Sequence, residues 1–184
     1  MYSENIGLHR WVVLSPHRDS LTSIHTLQCQ LWQSGIWGVR LLPPVVYIAS
    51  TEKPAREDTL KMLGQLIRQK SQEEASGGYI DGLSLGLYKL PGNFSALGLS
   101  LSLKLGDAVL PSLPLLAPSP ILILALQADE RAVELARKLY EDLPPFRFRQ
   151  GAVANLSFTL HEDVHSSISL RWELGKPCWM AHHG

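Results

Sequence analysis

The chain spans residues 1–184, of which 45% are hydrophobic and 18% charged, a composition typical of one globular domain rather than a disordered chain. Its 17 basic and 17 acidic residues leave a formal net charge of zero, so no overall field would attract nucleic acid or an acidic membrane. There is no leader-like segment and no apolar run of about 18 residues, so we expect a cytoplasmic protein without a membrane partner.

The first part of the chain has a strand–helix–strand pattern. Residues 9–14 form a short apolar run, and Asp19 follows as the N-cap of a helix that we predict to end near Gly35. Residues 38–50 indicate a second strand whose paired prolines must lie at an edge, a bulge or the strand's start. Leucines at helical spacing then predict a second helix, which ends near Glu74.

The middle of the chain predicts a β-hairpin followed by a linker. Leucines alternate with small or polar residues over 83–105, on both sides of the turn at 91–93. This period of two is typical of paired strands with one face in the core. Residues 107–120 contain four prolines, which predict an irregular surface connection.

The last part of the chain repeats the first pattern. Residues 121–126 predict a buried strand, Asp129 caps a third helix, and Pro144-Pro145 ends it. Two extended segments follow, 146–165 and 166–174, which we expect to pair through a turn.

Residues 11–50 and 121–160 thus share one order of elements, strand, capped helix, strand. This internal repeat predicts a single α+β domain with two β-α-β lobes, antiparallel sheets and a pseudo-two-fold cleft. The first lobe covers about 9–75 and the second about 121–175, with the hairpin and linker at about 78–120 between them.

The order of elements resembles that of the 2H phosphoesterases, which include the bacterial 2′-5′ RNA ligases and cyclic phosphodiesterases. In that family each lobe carries one strand with the motif His-x-Thr or His-x-Ser, and the two imidazoles act as general base and general acid. At the place that matches the first motif, Val45 stands for the histidine and Tyr47 for the threonine.

The second motif strand has two registers, Ser157-Phe158-Thr159-Leu160 and Asn155-Leu156-Ser157-Phe158, and neither places a histidine at the motif position. Because side chains alternate along a strand, the polar residues Asn155, Ser157, Thr159 and His161 should share one face. His161 is the candidate substitute for the missing histidine. Arg147 and Arg149, on the strand before, are candidates to present guanidinium groups to a phosphate.

The sequence therefore predicts a 2H-like protein that lacks the two-histidine mechanism and acts as a module binding a nucleotide, an RNA phosphate or another protein. Two alternatives remain. One is an active phosphodiesterase acting on 2′,3′-cyclic or 2′-5′ phosphodiesters, which requires His161 to face Tyr47 across a polar cleft that also holds Ser157 and Thr159. The other is a structural partner subunit.

We expect no cofactor and no metal ion. Two cysteines without CxxC spacing predict the free thiols Cys29 and Cys178. Cys178 lies near His182 and His183, but a chain terminus is a typical place for a mobile segment rather than for a metal site.

Overall fold

A computed structural model of the chain describes residues 7–73, 79–106, 110, 113, 116–148, 151–162 and 168–179. Within these ranges lie three α-helices, a short 3-10 helix at Trp37–Arg40 and nine β-strands. The helices are α1 (Arg18–Gln33), α2 (Glu57–Glu73) and α3 (Glu130–Glu141). The strands are β1 (Gly7–Pro16), β2 (Val45–Ser50), β3 (Ile80–Leu90), β4 (Phe94–Leu101), β5 (Leu116–Leu126), β6 (Arg147–Phe148), β7 (Gly151–Glu162), β8 (Ile168–Leu174) and β9 (Cys178–Trp179).

The strands form one antiparallel sheet, which confirms the α+β class. They follow the order β6-β3-β4-β5-β2-β1-β7-β8, and β9 pairs with β7. The two predicted halves interleave in this order, because β5 pairs with β2 and β7 pairs with β1. The predicted division into two lobes with separate sheets is therefore not confirmed. No helix in the described part of the chain is long and apolar enough to cross a membrane.

The prediction that Asp19 caps helix α1 is wrong, because the helix already begins at Arg18 and includes Asp19. The helix ends at Gln33, and Gly35 lies just beyond it at the predicted C-cap position. The backbone of Gly35 has φ +91°, a left-handed conformation that glycine adopts without steric cost. Its N–H donates to the carbonyl of Trp32, and the next N–H, of Ile36, donates to the carbonyl of Leu31, both at 3.0 Å. These two bonds form a Schellman motif, which satisfies the last carbonyls of the helix.

The predicted hairpin is confirmed. Strands β3 and β4 pair from Leu90 opposite Phe94 to Gly82 opposite Leu101. In the turn, Gly92 and Asn93 have φ of +87° and +63°, values that glycine and asparagine tolerate better than other residues.

The predicted irregular connection over 107–120 is wrong at its C-terminal end, because β5 already begins at Leu116. The prolines at 118 and 120 are accommodated by an irregularity in the ladder. Tyr47 pairs with Ile121 but Ala49 pairs with Leu116, so residues 117–120 face a single residue of β2. Prolines are tolerated inside a sheet at such bulges, where the ladder of hydrogen bonds is interrupted.

Apolar side chains cover both faces of the sheet. On the helix face, all three helices pack against the strands and bury, among others, Leu27, Leu63 and Ala136 together with Val12 and Val46. The opposite face carries a second cluster with Trp11, Val45, Tyr47, Phe94 and Phe158.

This second face is concave. Phe94 on β4 and Phe158 on β7 are four strand spacings apart, about 19 Å in a flat sheet. Their ring centroids lie only 5.5 Å apart, so the sheet is curled and the two side chains meet across its inner face. We call this the concave face.

The cap of α3 gives a test of these assignments. The carboxylate of Asp129 accepts a hydrogen bond from the backbone N–H of Ala132 at 3.0 Å, as the sequence predicts. Replacing Asp129 by Ala is expected to lower the free energy of unfolding by about 1 kcal/mol, measured by urea denaturation. Asp129→Ser, which keeps an acceptor at the cap, should retain most of that stability. Equal losses in both variants would contradict the assignment.

Candidate functional site

The position that matches the first motif histidine lies inside the core. Val45 and Tyr47 point to the concave face, where Val45 is 1% exposed. The same cluster contains the rings of Trp11, Phe94 and Phe158, each at most 1% exposed. Trp11 packs edge-on against Tyr47 and Phe158, with centroid distances of 5.1 and 4.8 Å. Val45 therefore exposes almost no surface to a ligand.

Tyr47 is held as a neutral phenol. Its hydroxyl shares a hydrogen bond of 3.1 Å with the hydroxyl of Ser50. Burial raises the pKa of Tyr47 because the phenolate would be poorly solvated, and the bonds to Ser50 lower it only in part. The phenol therefore carries its proton at neutral pH and cannot act as a general base there.

The predicted polar face of β7 is confirmed for the described side chains. Leu156, Phe158 and Leu160 are buried in the concave cluster, whereas Asn155, Ser157 and Thr159 are half-buried and alternate with them. The polar side chains lie on the helix face, since Asn155 pairs with Val12, which belongs to the helix-face core. His161 lies in β7 opposite Ser169, and its side chain is outside the described part of the structure.

The two candidate motif strands therefore present their residues on opposite sides of the sheet. β2 and β7 flank β1, with Tyr47 paired to Val13 on the concave face and Asn155 paired to Val12 on the helix face. The structure does not bring Tyr47 together with Ser157 or Thr159 in one cleft.

Asn155 connects β7 to the loop before α2. Its side-chain carbonyl accepts from the N–H of Ala55 at 2.8 Å, and its amide donates to the carbonyl of the same residue at 2.9 Å. The backbone carbonyl of Asn155 also accepts from the N–H of Gly175 at 2.8 Å. Both polar atoms of the side chain are thus used in fixing the loop, which gives Asn155 a positioning role.

Next to Asn155, three polar side chains lie in a row across neighbouring strands. Arg10 on β1 pairs with Ser157 on β7, which pairs with Glu173 on β8. They line a groove of about 330 Å³ on the helix side of the sheet. A guanidinium stays charged at all relevant pH values, so this groove contains a fixed positive group, a hydroxyl and a carboxylate. We call it the Arg10 groove; its remaining lining residues are Leu8, Pro54, Asn155, Leu156 and Gly175.

A second depression, of about 340 Å³, lies at the same end of β1 and also includes Arg10. The guanidinium Nη1 donates to the backbone carbonyl of Glu52 at 2.8 Å. His9 stacks on Phe158 at 5.2 Å between ring centroids and meets Phe94 edge-on at 4.9 Å. Gly92 of the hairpin turn is also adjacent, since a Cβ there would lie 3.0 Å from Cε1 of His9.

The predicted arginines do not join this groove. Arg147 donates from Nε to the carboxylate of Asp81 at 2.8 Å and lies over the ring of Tyr79 at 4.8 Å. The hydrogen bond with Asp81 and the charge of this carboxylate raise the pKa of Arg147. Strand β6, which carries Arg147, is at the opposite end of the strand order from β8. Arg149 is outside the described residues.

The described residues contain no group of three or more His, Cys, Asp or Glu side chains that could hold a metal ion. Cys29 and Cys178 are free thiols, as predicted. His182 and His183 are outside the described residues.

Comparisons with known proteins leave the family open. No protein-family model, no curated protein and no solved structure matches the chain. The resemblance to 2H phosphoesterases therefore stays a prediction from the order of elements.

The burial of Tyr47 predicts a pH dependence. A raised pKa in the folded state means that the stability from the neutral phenol is complete below the unfolded pKa of about 10. It is lost as the pH rises through the folded value. The free energy of unfolding of Tyr47→Phe should therefore fall less steeply at alkaline pH than that of the wild type. The difference in phenolate absorbance between the two proteins reports Tyr47, and it should titrate above about pH 10. A component titrating at or below that pH would contradict the burial.

The loop contact of Asn155 predicts a loss of stability on its removal. Asn155→Ala should lower the free energy of unfolding by about 2 kcal/mol, because two hydrogen bonds to Ala55 are lost at about 1 kcal/mol each. Ser157→Ala, two residues further on the same face, is the matched control and should change it by less than about 0.5 kcal/mol. Equal effects in urea denaturation would show that Asn155 does not hold the loop.

Proposed function

We propose that this protein is a 2H-like binding module that lacks the phosphodiesterase activity of that family. The burial of Val45, which is 1% exposed in the apolar concave cluster, carries the proposal. General acid–base catalysis needs groups that titrate near neutral pH within reach of the substrate. The buried residues of the concave cluster are apolar except for the phenol of Tyr47, which stays protonated. The imidazole of His9, which packs on Phe94 and Phe158, is not at a predicted motif position.

The Arg10 groove is the site that we propose for the ligand. Arg10 supplies a permanent positive charge, and a guanidinium has five N–H donors, of which the bond to Glu52 uses one. Ser157 adds a hydroxyl in the same row, and Glu173 adds an acceptor. This set of groups suits a ligand that carries both an anionic group and hydrogen-bond donors. A nucleotide or an RNA end has both, in its phosphate and its ribose hydroxyls. A protein segment with the same groups is the alternative occupant.

The catalytic part of the proposal is tested with the purified full chain. We expect no turnover of 2′,3′-cyclic nucleotides or 2′-5′-linked dinucleotides above the buffer rate, and no change in His161→Ala. Turnover that this substitution abolishes would overturn the proposal and favour an altered-site phosphodiesterase with His161 in the reaction.

The binding part is tested by calorimetry with nucleoside monophosphates and short RNAs. Arg10→Ala should weaken binding by about tenfold or more, because a hydrogen bond to a charged group contributes about 1.5–3 kcal/mol. Arg147→Ala is the matched control, since this arginine is engaged by Asp81 at the other end of the sheet. Loss of binding in Arg147→Ala alone would move the site to β6. Absence of binding by the wild type would refute a phosphate ligand.

A further inference from the structure

Strand β8 is the last strand in the order of the sheet. Over Ile168–Leu174 it pairs with β7 on one side, and on its other side it has no partner strand within the described part of the chain. Such an edge presents a row of backbone N–H and C=O groups that can pair with another chain.

The apolar concave cluster reaches this edge. Phe158 of β7 pairs with Trp172 of β8, and Leu170 and Leu174 pack against the same cluster. His9 stacks on the other side of Phe158, so a row of rings crosses β1, β7 and β8. The row ends at Trp172, whose indole is 47% exposed. An exposed indole that continues a buried cluster is typical of an interaction surface.

We propose that β8 pairs antiparallel with β8 of a second copy of this chain, about a two-fold axis at Trp172. In this register Trp172 faces its own counterpart and Leu170 faces Leu174 of the other copy. Arg171 of each copy faces Glu173 of the other, so one interface contains two such ion pairs. Residues directly opposite in a sheet share a face, so the apolar pairs extend the concave cluster and the ion pairs lie on the helix face.

The neighbouring registers lack this complementarity. An axis at Arg171 places two arginines opposite each other, and an axis at Glu173 does the same with two glutamates. The register at Trp172 is therefore favoured by charge as well as by its apolar pairs.

Two further features suit a closed dimer. The formal net charge of zero gives no overall repulsion between copies. Pro177, between β8 and β9, has no N–H to donate and therefore limits the length of the new ladder. A two-fold pairing uses the β8 edge of both copies, so no β8 edge is left for a third copy and the assembly is a dimer.

This inference goes beyond the proposed function, because the pairing requires neither a ligand nor Arg10, although Glu173 belongs to both the β8 edge and the Arg10 groove. The first test measures mass by sedimentation equilibrium of the full chain over the micromolar range. We expect a monomer–dimer equilibrium in the wild type. Arg171→Glu and Glu173→Arg should each weaken it by at least about tenfold, because each places like charges opposite each other twice.

The double variant with both substitutions restores opposite charges in the same register and should dimerise like the wild type. Lys104→Glu, an exposed reversal outside β8, is the control and should leave the equilibrium unchanged. A wild type that stays monomeric over this range would overturn the proposal. So would a double variant no better than the single ones, provided that circular dichroism shows all of them folded.

The second test reads the register by cross-linking. In a chain with Cys29→Ser and Cys178→Ser, the substitution Trp172→Cys should give a disulfide-linked dimer on mild oxidation, because opposite residues are within reach of a disulfide. Leu170→Cys should not, since its counterpart lies four positions away, about 13 Å along the strand. Equal cross-linking of both variants would refute the register.

Nucleotide binding by the monomeric Arg171→Glu variant separates the two proposals. We expect the dimer to be lost and binding through Arg10 to persist. If Arg171→Glu loses the dimer but neither the wild type nor any variant binds a nucleotide, the β8 pairing is supported and only the proposed ligand is refuted.

Discussion

The contact between Phe94 and Phe158 is the constraint on which the rest of the concave face depends. These rings come from strands four spacings apart, and they meet only because the sheet curls. The same curl brings the hairpin turn onto His9, where Gly92 leaves room that a larger residue would fill. Val45, the position predicted to match the first motif histidine, belongs to the same packed cluster and is 1% exposed.

Local signals in the sequence predicted several local features, although Asp19 is not the cap of α1 and residues 37–40 form a 3-10 helix where the strand over 38–50 was predicted to begin. The cap at Asp129, the end of α1 at Gly35 and the hairpin around Gly92 depend on residues within one or two turns of the chain. The order of strands depends instead on contacts between distant segments, such as β2 with β5, and no local pattern contains them. The start of β5 was missed for a related reason. Its prolines are unfavourable in a regular ladder, and the bulge opposite β2 that accommodates them arises only in the folded sheet.

The candidate site was predicted in part. Strand alternation correctly separated the polar residues of β7 from its buried ones, because the period of two is a property of the strand itself. It could not tell that Tyr47 points to the other side of the sheet, since that depends on how β1 aligns β2 and β7. Arg10 was missed because its role appears only when Glu52 and Ser157 are brought to it from distant parts of the sequence. Nothing in the run around His9 indicated that its ring would stack on Phe158.

The central position of β1 affects how the chain reaches its folded state. Strand β1 pairs with β2 on one side and with β7 on the other, where Trp11 lies opposite Leu156, so the sheet is continuous only when both ends of the chain are present. Pairing β1 with β7 closes a loop that contains most of the chain. Closing this loop costs entropy before the compensating contacts are made, and folds rich in distant pairings fold slowly. During synthesis, His9 and Trp11 would lack their contacts with Phe158 until β7 has left the ribosome. We therefore expect folding to be a late, single step of the whole chain, although its sequence shows two similar halves.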